Sequence, residues 1–195
     1  FIIVGTMNPE EGELRPQLLD RFGLVVEVIS PTDPAERAEV VRRRVAFEAA
    51  PMPFCARFVE AEAILAQRIV AARQRLETVT LNDGMLELIT HICAQSDVDG
   101  LRADITMYKT ALTLAAWEDR PTVTVEDVRR AAEFVLPHRR RRQPFEEPGL
   151  DQQALDEWID QHQRQQQARN AEAPKNQDES TNRDEGGSDA TSEDG

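Results

Sequence analysis

Two polar residues near the start of the sequence have types and positions that suit phosphate chemistry. Asn8 follows the apolar run at residues 1–4, and an amide at the end of a buried strand can orient a water molecule for attack on a phosphate. Asn8 and Pro9 also favour a simple turn. Arg21 ends the stretch Leu18-Leu19-Asp20-Arg21 and can stabilise charge on a phosphoryl group held by a neighbouring subunit. A surface pair with Asp20, or attraction to a helix C-terminus, would explain Arg21 equally well.

A third candidate is Arg102, which lies at the start of a predicted helix after Asp99-Gly100-Leu101. The N-terminus of a helix attracts anions and disfavours a cation. A bound phosphate would compensate for the cation. The alternatives are a solvated arginine or one paired with Asp99 or Asp104.

The elements that must position these residues are of two kinds. Residues 1–4 and 25–29 are apolar and rich in β-branched side chains, which is typical of buried strands, and Pro16–Arg21 predicts a short helix between them. Residues 1–29 therefore predict the end of an α/β domain. The sequence opens on an apolar run without a Met, so we expect a fragment that begins inside a domain.

Residues 30–146 predict a helical domain. Asp33-Pro34 and Asn82-Asp83 are typical of helix starts, and Thr124-Val125-Glu126-Asp127 resembles a capping box. The apolar spacing predicts five helices, which begin near Pro34, Ala56, Asn82, Leu101 and Thr124. In the second helix we expect Phe58, Ile64, Leu65 and Ile69 to face inward.

Residues 147–195 predict an acidic, low-complexity tail. Leu155, Trp158 and Ile159 could form the apolar face of one helix over residues 150–169. From Asn170 onward almost no apolar side chain larger than Ala remains, so we expect disorder.

The charge balance argues against nucleic acid as a partner. The net charge is −13, of which −8 falls in residues 148–195. Nucleic-acid binding needs a positive face, so the basic run at residues 138–142 is interpreted as a solvated or subunit-contacting segment. No apolar stretch approaches the length of a membrane span. Cys55 and Cys93 match no metal spacing and predict buried thiols in a reducing cytoplasm.

Residues 8–23, Asn-Pro-Glu-Glu-Gly-Glu-Leu-Arg-Pro-Gln-Leu-Leu-Asp-Arg-Phe-Gly, resemble the signature of the AAA+ ATPase subunits of magnesium and cobalt chelatases. Gly100-Leu101-Arg102 resembles part of the lid of that family, and the basic run after Pro137 resembles the end of its module. The resemblance implies a mainly α fold. It would consist of the C-terminal remnant of an α/β P-loop (AAA+) core over 1–29, a helical lid over 30–146 and the disordered acidic tail.

Matched by position, Asn8 resembles sensor 1, Arg102 resembles sensor 2, and Arg21 resembles the arginine finger that acts on a neighbour's ATP. The remaining matches imply subunit contacts. Asp20 is similar to the acid just before the finger, and Glu13 and Arg15 lie in the segment where subunits of this family touch.

The resemblance implies the ATPase motor subunit of a metal chelatase, with ATP and Mg²⁺ as cofactors. Hydrolysis in a homo- or hetero-oligomeric ring would drive insertion of Mg, or Co, into a tetrapyrrole held by a separate large subunit. One alternative is a D-type platform subunit without hydrolysis, which the acidic tail favours. Another is a MoxR-type AAA+ chaperone, against which Glu13-Leu14-Arg15-Pro16-Gln17 argues.

The 195 residues contain neither a GxxxxGK[ST] loop nor an acidic metal-binding strand. Without the phosphate cradle and the Mg²⁺ ligands, we expect these residues alone to bind ATP weakly and not to hydrolyse it. An assay of phosphate release by the isolated chain checks this expectation, and measurable turnover would contradict it.

Overall fold

The computed structural model describes residues 2–8, 15–139 and 150–172, and Glu13 and residues 173–195 of the acidic tail lie outside them. The described residues form eight helices and no strand. The helices are α1 (Pro16–Leu19), α2 (Pro34–Ala49), α3 (Pro51–Ala56), α4 (Val59–Arg75), α5 (Asp83–Gln95), α6 (Arg102–Trp117), α7 (Val125–Val135) and α8 (Gln152–Glu172). The expectation of a mainly α fold is confirmed.

Three helices begin at the residues that the capping patterns in the sequence predict. The Asp33 side chain accepts from the Glu36 amide at 3.0 Å, and Asn82 accepts from the Met85 amide at 2.9 Å. Thr124 opens α7 with a full capping box. Each cap satisfies an amide that has no partner inside its helix, so these starts depend only on residues within one turn.

The core lies among α5, α6, α7 and α8. Its fully buried members include Leu88, Ile89, Ile92, Met107, Ala111, Val128, Val135, Leu136 and Leu155. The segments before α5 and α7 meet in an isolated parallel bridge between Thr80 and Thr122, flanked by buried Val79 and Val123. Among the described residues, no helix is both long and apolar enough to span a bilayer.

Helix α8 completes this core although the sequence places it in the tail. Leu155 and Ile159 are buried and Trp158 packs against the same cluster, as the pattern indicates. Arg129 of α7 pairs with Asp156, which joins α8 to α7 at the surface. The packed structure therefore continues beyond residue 146.

The strands expected at residues 1–4 and 25–29 are not formed among the described residues. Ile2 and Val28 are about nine-tenths exposed, and neither segment has regular secondary structure. A strand needs a neighbour to receive its backbone hydrogen bonds, and no other described segment offers one.

The prediction of an inward apolar face on the second helix is also wrong, because Ile64 is 61% exposed. The expected helix corresponds to α4, and Pro51 begins the separate helix α3 before it. Helix α4 approaches α6 through Ala72 and through Arg68, whose guanidinium lies 4.0 Å from the centre of the Trp117 ring. Cys55 of α3 is likewise exposed, and only Cys93 is buried as expected.

Burial of Asp127 ties the start of α7 to the end of α6. Its carboxylate is fully buried and accepts two hydrogen bonds from the Arg120 guanidinium, besides the amide and hydroxyl of Thr124 at 2.9 Å each. Burial raises the pKa of Asp127, but the hydrogen bonds from Arg120 and Thr124 outweigh it and hold the pKa below its ordinary value. The carboxylate is therefore stable only with these partners.

We predict that Asp127→Asn lowers the free energy of unfolding by about 2 kcal/mol, because it removes a charged acceptor from a buried network. Denaturant unfolding measures the loss. As a control, Asp160→Asn disrupts only an exposed pair with Arg164 and should cost less than about 0.5 kcal/mol. Equal costs for the two variants would contradict the role of Asp127.

Two histidines meet between α5 and α8. The rings of His91 and His162 lie 5.6 Å apart, and the Nε2 atom of each is buried without a hydrogen-bond partner in the described part of the chain. Burial, and then repulsion from His162, lower the pKa of His91. The folded state therefore disfavours protonation of His91 at this contact.

We predict that this contact weakens in acid. Because the folded pKa of His91 is below the ordinary value of 6.5, the unfolded chain binds more protons below that pH, and stability falls as the pH drops. Thermal unfolding from about pH 7.5 to about pH 5.5, where carboxylates stay ionised, measures the decline. His91→Gln should reduce the slope and leave the part that comes from His138, whose pKa is also lowered by burial. An unchanged slope would contradict the prediction.

Candidate functional site

The candidate site is the short turn Asp20–Gly23, which follows α1 and carries Arg21. Helix α1 has one turn, closed by the amides of Leu18 and Leu19 donating to the carbonyl of Arg15. The Arg21 amide then donates to Leu18 at 3.0 Å, so the chain turns directly after the helix. Such a short element is not stable alone. Its position must come from contacts with the helical domain.

One contact joins the turn to the start of α6. The Arg102 guanidinium forms an ion pair with the Asp20 carboxylate, and its Nη1 atom also lies 3.4 Å from the Asp20 carbonyl oxygen. Arg102 thus has a partner 82 residues earlier in the chain. Its side chain stays 54% exposed, so one side of the guanidinium remains open to solvent.

A second contact joins the turn to the chain after α7. The Arg139 side chain donates to the carbonyl oxygens of Phe22 at 2.6 Å and Gly23 at 3.0 Å, and its Nε atom lies 3.5 Å from the Asp20 carboxylate. The Val25 amide donates to the Phe134 carbonyl at 2.9 Å. The turn is therefore fixed by backbone and side-chain bonds together.

His138 adds a neutral donor to the same contact. Its Nε2 atom lies 3.0 Å from the Phe22 carbonyl oxygen. Burial lowers the pKa of His138, and repulsion from Arg139 lowers it further. The hydrogen bond to the Phe22 carbonyl and the charge of Asp20 raise it, but the pKa stays below its ordinary value. A neutral ring must carry its proton on Nε2 to bond this carbonyl.

Arg21 remains exposed between these fixed neighbours. No ion pair recorded for residues 15–139 and 150–172 includes its side chain, whereas Asp20 beside it is paired with Arg102 and Arg139. The Arg21 guanidinium is thus presented to solvent at the end of α1.

The positions of the other predicted site residues, Asn8, Arg15 and Glu13, are less closely defined by described contacts than that of Asp20. Asn8 and Arg15 are exposed, and Glu13 lies outside the described residues. The segment that ends at Asn8 lies beside the turn at Gly5, where an added Cβ would be 3.5 Å from the Phe22 ring. The structure thus brings together Asp20 and Arg102, and places residues 2–8 beside the turn.

Sequence reasoning missed Arg139. The basic run at residues 138–142 is interpreted above as solvated or subunit-contacting, but the Arg139 side chain is only 3% exposed and His138 is half-buried. Arg139 lies one turn after the apolar end of α7, so the packing of α7 brings its side chain into contact with the turn. Its position just after Val135-Leu136 is the feature of the sequence that could have indicated burial.

Arg102 is suited to a phosphate by charge and by its place at the first turn of α6. Mg²⁺ finds no comparable site, since no group of three or more acidic, His or Cys side chains in the described ranges could hold a metal ion.

Comparison with known proteins agrees with this architecture. Residues 86–158 match the family model of the AAA lid domain. A putative ATPase from Cytophaga hutchinsonii has a similar fold, with a TM-score of 0.51 at 19% identity over 76% of this chain and 48% of that one. The chain therefore has a mainly helical fold that contains an AAA lid domain.

Within that class, the chain is homologous to the C-terminal region of magnesium-chelatase ChlI subunits. It is 47% identical over 165 residues to a ChlI homologue of Methanocaldococcus jannaschii, covering 85% of this chain and 45% of the relative. It is 46% identical over 147 residues to ChlI of Cyanophora paradoxa, covering 75% and 42%. An uncharacterised protein of Mycobacterium tuberculosis is 54% identical over 159 residues, covering 82% and 25%. The chain thus spans less than half the length of these relatives.

Proposed function

We propose that the protein is the ATPase motor subunit of a metal chelatase. ATP hydrolysis in a ring of homo- or hetero-oligomeric subunits would drive insertion of Mg, or Co, into a tetrapyrrole bound by a separate large subunit. The observation that carries the proposal is the exposed Arg21 on a turn held by the lid, in a chain homologous to ChlI subunits.

Arg21 is assigned the role of a finger that acts in the site of a neighbouring subunit. Its neighbour Asp20 is paired with two lid arginines, so the charge of Arg21 is not cancelled within the described contacts. A guanidinium that enters the neighbour's site only when the ring is closed would stabilise the transition-state charge on the γ-phosphoryl group. Hydrolysis would then depend on assembly.

Arg102 and Asn8 are assigned to the subunit's own nucleotide. The exposed side of the Arg102 guanidinium can bind a phosphate at the first turn of α6, and the Asn8 amide can orient the attacking water. Mg²⁺ would supply positive charge to the phosphates, and no group of described side chains would hold it. Glu13 and Arg15 are assigned to the subunit interface beside the finger.

The platform alternative would require no finger. An exposed Arg21 with no described ion pair and an arginine at the first turn of α6 both favour the motor. We also propose a cytoplasmic location, since tetrapyrrole chelation by a soluble ring fits a chain whose described helices include no membrane span.

We predict that Arg21→Ala in the full-length protein leaves ATP binding nearly intact and lowers kcat about 10³-fold or more, because the lost guanidinium acts only on the transition state. Steady-state ATPase assays and nucleotide titration separate the two effects. Arg102→Ala is the comparison, and it should weaken ATP binding about tenfold or more through loss of a charge-assisted hydrogen bond. Normal turnover by Arg21→Ala would contradict the finger assignment.

A further inference from the structure

Arg139 is an unusual residue in this fold because it is a buried cation. Its side chain is 3% exposed, and burial lowers its pKa, which the nearby Asp20 carboxylate opposes. An arginine does not lose its proton in a protein, so the charge must be stabilised where it lies. Removing a cation from water is unfavourable unless hydrogen bonds and an opposite charge compensate.

The compensation comes mostly from the turn that carries Arg21. Three carbonyl oxygens of the described residues accept from Arg139. Those of Phe22 and Gly23 belong to the turn, and that of Val135 belongs to α7. The nearby carboxylate, Asp20, belongs to the turn as well. If the turn left the lid, Arg139 would lose this carboxylate and two of its three described carbonyl partners. These interactions oppose separation of the turn from the lid.

The planar guanidinium also fixes geometry. Its Nη1 atom donates to Gly23 and Val135, both at 3.0 Å, while Nη2 donates to Phe22 at 2.6 Å. The end of α7 and the turn are thus joined through one rigid group. A lysine ammonium is a single point charge without this fork, and cannot reproduce the arrangement.

The residues held by Arg139 flank Arg21 on both sides. Asp20 precedes it, and Phe22 and Gly23 follow it, so the backbone of Arg21 is fixed while its side chain stays exposed. A displacement of about 1 Å in a positioned group can cost about 10²-fold in rate. Small movements of this backbone would therefore matter to a finger.

We propose that Arg139 is a positioning residue that sets the place of Arg21 relative to the lid. The inference rests on the finger role proposed above for Arg21. Arg102 shares Asp20 with Arg139, so both lid arginines act on the same turn. A shift of the lid then moves the finger, and the two parts travel as one unit.

The test uses Arg139→Gln and Arg139→Lys in the full-length protein, with Arg130→Gln as the matched control. Arg130 is a lid arginine on α7 that pairs with Glu118, and within the described ranges it forms no hydrogen bond or ion pair with the turn. We expect Arg139→Gln to lower kcat about 10²-fold with little change in ATP binding, and Arg139→Lys to retain more activity. Arg130→Gln should behave as the wild type.

Mixed rings show whether Arg139 acts through Arg21. Rings of Arg139→Gln with Arg21→Ala should not recover turnover, since neither subunit supplies a working finger. Rings of Arg139→Gln with Asn8→Ala should recover, because roughly a quarter of random interfaces combine an intact Asn8 with an intact finger. Recovery with Arg21→Ala would overturn the proposal.

Hydrogen exchange keeps the test independent of how the variants fold. In the wild type the Val25 amide should be protected, and Arg139→Gln should speed its exchange while Arg130→Gln does not. Exchange of the wild-type Val25 amide at the rate of an unstructured chain would overturn the proposal even if no variant folds. Normal kcat for Arg139→Gln beside an inactive Arg21→Ala overturns this inference alone. Normal kcat for Arg21→Ala overturns the finger role and this inference together.

Discussion

The arrangement of the candidate site depends on one carboxylate, that of Asp20. It pairs with Arg102 from the start of α6 and lies 3.5 Å from the Nε atom of Arg139, which follows α7. Two cations from separate elements would repel each other without an anion between them. Asp20 therefore lets α6 and the chain after α7 converge on a turn that belongs to neither. The position of Arg21 is a consequence of that convergence.

The packed core of the lid fixes the positions of the elements that converge on the turn. Helix α7 is fixed at its start by the buried Asp127 with its Arg120 and Thr124 partners, and along its length by the fully buried Val128 and Val135. The carbonyls of Phe134 and Val135 and the side chain of Arg139 lie at its other end. Because a packed core transmits strain and deforms little, the two ends of α7 are mechanically linked. A stable lid is thus part of the site.

The helices before the core are built differently. Helices α2 and α3 bury no residue, and α4 buries only Ala72. Their order comes from local bonds, such as the Asp33 cap and the pair of Arg44 with Glu48, and from the contact of Arg68 with Trp117. Exposed i,i+4 ion pairs add only a few tenths of a kcal/mol each, so this part contributes little to the stability of the lid.

The sequence by itself determined the features that depend on near neighbours. The starts of α2, α5 and α7 follow from caps formed within one turn, and the face of α8 follows from the spacing of Leu155 and Ile159. The resemblance at residues 8–23 also pointed to Arg21 and Arg102 as candidates, and their roles stay proposals.

Only the tertiary structure decided the contacts between distant residues. The pairing of Asp20 with Arg102 spans 82 residues, and the bond from Arg139 to Phe22 spans 117. Periodicity shows that a face is apolar but does not show what covers it, so Ile64 was expected inside and is exposed. The apolar runs near Ile2 and Val28 likewise have strand composition without a strand. A ladder exists only where a second strand accepts its hydrogen bonds, and that depends on packing and not on the segment itself.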